Sequence, residues 1–108
     1  MDIGMRIKER REALGMSQSE LARKVGYTSR TTINKIERDG RGISQDKIIA
    51  IAKALKTTPS YLMGWEDEEV ATLTAMQEEA MVKFFDLTEE NQILISGFMD
   101  TLLEKQKG

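Results

Sequence analysis

The sequence contains no cysteine and no histidine. Without cysteine it can form neither a disulfide nor a thiolate zinc site. Without histidine it lacks the commonest general base, the commonest metal ligand and every His-containing triad. No glycine-rich loop is spaced to cradle a phosphate. Catalysis, cofactor chemistry and metal binding are therefore not expected. Long apolar runs are also missing: no stretch approaches the roughly 20 residues that a membrane-spanning helix needs. The N-terminus is charged from Arg6 onward and has no signal-peptide pattern. A soluble, cytoplasmic chain with no membrane partner is the expectation.

What is present is 108 residues, 40% of them hydrophobic. That suffices for one domain and a short appendage. The net charge of −2 conceals two opposed parts. Residues 1–64 carry thirteen Lys and Arg against seven Asp and Glu, whereas residues 65–108 carry three against eleven. The first part is +6 and the second −8, which together recover −2. A basic part joined to an acidic one suits a polyanion-binding module attached to something else.

Five helices can be placed in the basic part. Asp2 caps the first, whose apolar stripe is Ile3, Ile7 and Leu14, with Gly15 as its stop. Ser17 and Glu20 form a capping box for the second, which turns Leu21, Ala22 and Val25 inward and ends at Gly26. The third runs from about Ser29 to Arg38 with Ile33 and Ile36 inward, before a loop at "RDGRG". Ser44 caps a fourth carrying Ile48, Ile51, Ala52 and Leu55. Thr58 caps a short fifth with Pro59 at its first position, Tyr61 and Leu62 inward and Gly64 as its stop. Nothing reads as a strand, so the predicted fold class is all-α.

In the acidic part, "EDEE" reads as a solvated linker or helix start. Residues 70–86 have apolar positions at untidy spacing and are read as helical. Thr88 caps a clearer helix with Glu89 and Glu90 in its first turn. The predicted division is a basic five-helix domain at 1–64, an acidic linker or helical segment at 65–86 and a C-terminal helix at 87–108.

The second and third helices, joined by a tight glycine turn, follow the helix-turn-helix plan. Ala22 is small where two helices must approach, and Gly26 sits where a side chain would be strained. The start of the third helix, "SRTTINK", is almost wholly polar. Such a face suits the major groove. Arg matches guanine O6 and N7, Asn matches adenine N6 and N7, and a Thr methyl can meet the thymine methyl.

With "SQSELARKVG", "TINKIE" and "IIAIAKALKTTPSYLMG" in this order, residues 5–64 resemble the Xre/Cro family of bacterial and phage repressors, the lambdoid type. The resemblance implies a five-helix repressor-like domain followed by a helical C-terminal extension. The family pattern has five residues between the turn glycine and the first buried Ile, whereas here "YTSRTT" makes six. Reading back from Ile33 places the extra residue between Tyr27 and Ser29. The resemblance then implies base reading by Arg30, Thr31, Asn34 and Lys35. It implies contacts to the DNA backbone from Ser17, Gln18, Arg41, Gly42, Ser44 and Lys47. Arg11 and Glu37 match an internal ion pair between the first and third helices. Larger relatives carry a self-cleaving peptidase domain, and the 44 residues after Gly64 are too few for it.

A helix as short as the last one cannot bury its apolar positions alone. Leu94, Ile95, Phe98, Met99, Leu102 and Leu103 are therefore expected to form a homodimer contact, in keeping with a palindromic double-stranded operator. The expected function is that of a sequence-specific transcriptional regulator, of prophage or bacterial repressor type. The alternative is an antitoxin, or protein-interaction module of a toxin-antitoxin pair, whose acidic tail grips a basic toxin.

Overall fold

The computed structural model describes residues 2–108. Among them there are only helices and connecting turns: α1 (Ile3–Ala13), α2 (Gln18–Lys24), α3 (Arg30–Asp39), α4 (Gln45–Ala54), α5 (Pro59–Leu62), α6 (Glu68–Asp86) and α7 (Glu89–Lys107). No described helix is long and apolar enough to cross a membrane. The all-α fold, with a five-helix core followed by two further helices, is the one expected.

Short polar side chains set the helix starts. Each satisfies a backbone N–H that has no partner within its helix. Asp2 accepts from the Met5 amide at 2.9 Å, Ser44 from Lys47 at 3.3 Å, Thr58 from Tyr61 at 3.1 Å and Thr88 from Asn91 at 3.2 Å. At α2 the exchange is reciprocal: Ser17 Oγ accepts from the Glu20 amide at 3.0 Å and Glu20 Oε1 from the Ser17 amide at 3.4 Å. Ser29, at the start of α3, makes no such bond.

The chain forms two compact units, Met1–Met76 and Gln77–Gly108, with the boundary inside α6. The first unit has a continuous core of Ile7, Leu21, Ala22, Val25, Ile33, Ile36, Ile51, Ala52, Leu55, Tyr61, Leu62 and Ala71. Nearly every inward residue named from the sequence is here. Ile48 is half-buried, and Leu14 departs from the expected stripe. The first helix stops at Ala13, so Leu14 is its C-cap and stands 37% exposed. The buried face of α1 is instead Gly4, Ile7 and Arg11.

Gly4 marks the closest approach of two helices. A Cβ there would lie 2.6 Å from the backbone carbonyl oxygens of both Ile36 and Glu37. Hydrogen alone lets α1 lie against the backbone of α3. Arg10 of α1 closes the end of α4, donating from Nε to the Leu55 carbonyl at 2.8 Å and from Nη2 to that of Lys56 at 3.2 Å. A cation is favourable at this negative end of a helix.

The second unit comprises the end of α6, a turn at Leu87 and α7. Gln92 Nε2 donates to the carbonyls of Phe84 at 2.9 Å and Leu87 at 3.3 Å, which holds the turn. No residue of α7 is buried. Leu94, Ile95, Phe98, Met99, Leu102 and Leu103 are between 37% and 65% exposed. Phe85, at 71%, and Ile93, at 67%, are more exposed still.

Candidate nucleic-acid interface

Helix α3 has two faces of opposite character. Ile33, Ile36 and Glu37 are buried, while Arg30, Thr31, Asn34 and Lys35 are exposed. The spacing enforces this separation. At 3.6 residues per turn, positions 33, 36 and 37 share one side and 30, 31, 34 and 35 share another. The helix begins at Arg30, so the first exposed pair sits in its opening turn.

The turn that delivers α3 is held from α4. Gly26 takes φ +82°, the left-handed conformation that glycine adopts without strain. The Tyr27 amide donates back to the Ala22 carbonyl at 2.9 Å. Lys47 Nζ donates to the Val25 carbonyl at 2.8 Å and lies 4.7 Å from the centre of the Tyr27 ring. Burial pushes the Tyr27 phenol above its ordinary pKa. The segment between Val25 and Arg30 is thus held with Lys47 clamped across it. An ammonium has three protons, so one committed to Val25 leaves others for an anion.

The buried side of α3 is tied to α1 by charge. Arg11 Nε donates to Glu37 Oε2 at 2.6 Å, and Nη2 to Oε1 at 3.1 Å. Arg11 Nη1 donates to the Met16 carbonyl at 2.8 Å. The bond to Glu37 holds the Arg11 guanidinium above its ordinary pKa, against the opposing effect of burial. Gln18 joins this network. Its Nε2 donates to Glu37 Oε1 at 3.1 Å and, over a longer 3.4 Å, to Asn34 Oδ1. The fork of Arg11 engages both Glu37 oxygens and so ties the buried side of α3 to α1.

The remaining sequence-named residues lie on loops and helix starts. Ser17 and Ser44 use their hydroxyl oxygens as cap acceptors, which leaves each O–H proton as a donor. Arg41 is exposed in the loop after α3, and Gly42 beside it takes φ +72° with open space around it. The Gln18 amide nitrogen bonds to Glu37 and, in an exposed bond, to Asn34, while its main-chain N–H lies in the first turn of α2.

Three features escaped the sequence reading: the packing role of Gly4, the Lys47 clamp and the Gln18 bridge. Gly4 carried a readable signal, since a glycine in a helix costs about 1 kcal/mol and invites a packing reason. The other two had none, because each joins residues far apart in the chain. Among the described residues no group of three or more acidic side chains is placed to hold a metal ion.

A family model described as helix-turn-helix matches residues 7–62. An uncharacterized HTH-type transcriptional regulator, y4wC, of Sinorhizobium fredii is 37% identical over 59 residues, 55% of this chain and 41% of that protein. An uncharacterized transcriptional regulator in the ATPase CF(0) region of Rhodospirillum rubrum is 41% identical over 59 residues, 55% of this chain and 54% of that protein. The chain spans about half the length of these curated relatives. The P22 c2 repressor, solved with a synthetic operator, superposes with a TM-score of 0.56 at 32% identity, covering 61% of this chain and 98% of that one. A SinR/SinI protein complex has a chain of similar fold, with a TM-score of 0.52 at 24% identity over 98% of this chain and 99% of that one.

Proposed function

We propose, from the premise that this chain belongs to the helix-turn-helix family as an Xre/Cro-type DNA-binding regulator, that it reads a short palindromic operator as a homodimer. The regulatory domain itself is a non-enzymatic DNA-binding module. The observation that carries the finer reading is the two-faced α3, with four hydrogen-bonding side chains exposed and its opposite face buried.

In this reading α3 enters the major groove and Arg30, Thr31, Asn34 and Lys35 meet base edges. The P22 c2 repressor, 32% identical, was solved with a synthetic operator, which supports operator binding here. Ser17, Arg41, Ser44 and Lys47 hold the phosphate backbone on either side, together with the main-chain amides of Gln18 and Gly42. Such contacts set position, whereas base edges set sequence. Residues 1–64 serve as the DNA-binding domain and 65–86 as the connection. Residues 87–108 supply the dimer contact through Leu94, Ile95, Phe98, Met99, Leu102 and Leu103. What supports the dimer is the exposure of all six on a helix that buries nothing. Apolar side chains at that density cost free energy in water, and a two-fold partner removes them from it. A dimer bound over a promoter excludes polymerase and so represses.

Selection of bound duplexes from a random pool at fixed salt tests the reading. It expects an inverted repeat with half-sites about one helical turn, roughly 34 Å, apart. Bulk binding that falls with salt and enriches no sequence would leave only the polyanion-binding part standing.

A further inference from the structure

The apolar stripe of α7 is symmetric about its own midpoint. Leu94, Ile95, Phe98, Met99, Leu102 and Leu103 recur as adjacent pairs, each four residues after the last. The centre of the stripe falls between Phe98 and Met99, at the middle of the helix Glu89–Lys107. At about 100° per residue, the six positions share one half of the helix surface. The end of α6 takes the other half, where Phe84 shares a shallow groove with Ile93, Ser96, Gly97 and Asp100. The stripe therefore stays open within its own unit, each of its residues at least 37% exposed. Charge runs along the same helix from acid to base, with Glu89 and Glu90 in the first turn and Lys105 and Lys107 in the last. By the same spacing Glu90 and Lys105 lie on one edge of the stripe, near its two ends, while Asp100 and Glu104 point away from it.

We propose that α7 pairs antiparallel with α7 of a second copy of this chain, about a two-fold axis between Phe98 and Met99. The inference rests on the reading that α7 supplies the dimer contact, and it fixes the direction and register of that contact. An antiparallel two-fold pair reverses the sequence on itself. An off-centre stripe would then meet polar residues over part of its length, whereas a centred one covers itself. Leu94 lies opposite Leu103 of the partner subunit, Ile95 opposite the partner's Leu102, and Phe98 opposite the partner's Met99. A parallel pair would also cover the stripe, so charge decides between the two. Parallel helices gather four first-turn glutamates at one end and align the two helix dipoles. In the antiparallel pair each edge of the stripe faces the same edge reversed, which brings Glu90 near the partner's Lys105. Each acidic helix start then lies beside a basic helix end, and charges flanking an apolar seam are what set its orientation. The two chains enter such a pair from opposite ends, with Thr88 about 30 Å from its partner along the axis. The DNA-binding domains are thus tethered apart rather than side by side.

Disulfide trapping tests this, because the chain has no cysteine of its own to confuse it. Phe98→Cys and Met99→Cys lie at the axis and should each cross-link under mild oxidation, giving a band of twice the monomer mass on a non-reducing gel. In the proposed register two copies of Leu94→Cys hold their thiols about 13 Å apart along the axis, beyond the reach of a disulfide. The same holds for Leu103→Cys. Each of these variants should stay monomeric on the gel alone, and a mixture of the two should give the doubled band. Cross-linking of Leu94→Cys and Leu103→Cys each by itself would show a parallel pair and overturn the proposal, leaving the α7 dimer intact. Cross-linking at 98 or 99 with no band from the mixture would overturn the register in the same way. No cross-link from any of the four variants would overturn the α7 dimer as well.

Discussion

At the scale of single residues, the helix crossing at Gly4 is the tightest constraint. Alanine is the better helix former by about 1 kcal/mol. Its methyl group would stand 2.6 Å from two backbone oxygens of α3, which cannot rotate away. Gly4→Ala should therefore destabilise despite its propensity, by about 1–3 kcal/mol in urea unfolding. It should also weaken operator binding, because α3 is what moves. Thr57 presents the opposite case. Its hydroxyl oxygen is buried with no hydrogen-bond partner. Valine has nearly the same shape and no polar atom to leave unsatisfied. Thr57→Val should raise stability by about 1 kcal/mol, read as a higher urea midpoint at an unchanged slope. On the proposed DNA face, Arg30→Ala should cost about 1–3 kcal/mol on the selected operator and little on random duplex. Titration of both duplexes at one salt concentration checks this, and equal losses would place Arg30 on phosphate instead.

At the scale of elements, the turn before α3 depends on a side chain from elsewhere. Gly26 and the Tyr27 amide shape the turn, but Lys47 spans it, bonding the end of α2 and covering the Tyr27 ring. A charge-assisted hydrogen bond and a cation–π contact together are worth about 2 kcal/mol at a partly buried site. Lys47→Met keeps the apolar stem and removes the ammonium. Hydrogen exchange should then quicken at Tyr27 and through the first turn of α3, with the amides in the middle of α1 unchanged. Loss of protection spread evenly over the first unit would mean that Lys47 supports the whole domain rather than the turn. Helix α3 itself needs such help. Its first turn has no side-chain cap, and its exposed face is chosen for hydrogen bonding rather than packing. Its stability comes from Ile33, Ile36 and the Glu37 pair.

At the scale of the whole molecule, the two compact units differ in how they are stabilised. The first has a core in which Ile7, Leu21, Ile33, Ile51, Leu55 and Leu62 are fully buried. The second exposes its apolar side chains along α7. Deletion from Leu87 should give monomers by sedimentation while preserving the helical signal and melting of the first unit. It should also weaken binding to an inverted repeat far more than to a single half-site, because the linkage between half-sites is lost. A dimer that survives the deletion would place the interface within residues 2–86.

Local rules alone set the helices and most of their inward faces. Helix caps are local: a Ser, Thr or Asp meets an amide three residues on, so Asp2, Ser17, Ser44, Thr58 and Thr88 could be read directly. Periodicity is local too, and it separated Ile33 and Ile36 from Arg30 and Asn34. Leu14 departs most, because the helix ends a residue before it and Arg11 takes the buried place. Long-range packing supplied what no local rule contains: Gly4 touches α3, Lys47 reaches back to Val25, and Gln18 bridges to Glu37 and Asn34. Those contacts join residues 16 to about 30 positions apart. Residue type states which hydrogen bonds a side chain can make, and only its neighbours in space decide which of them remain for DNA.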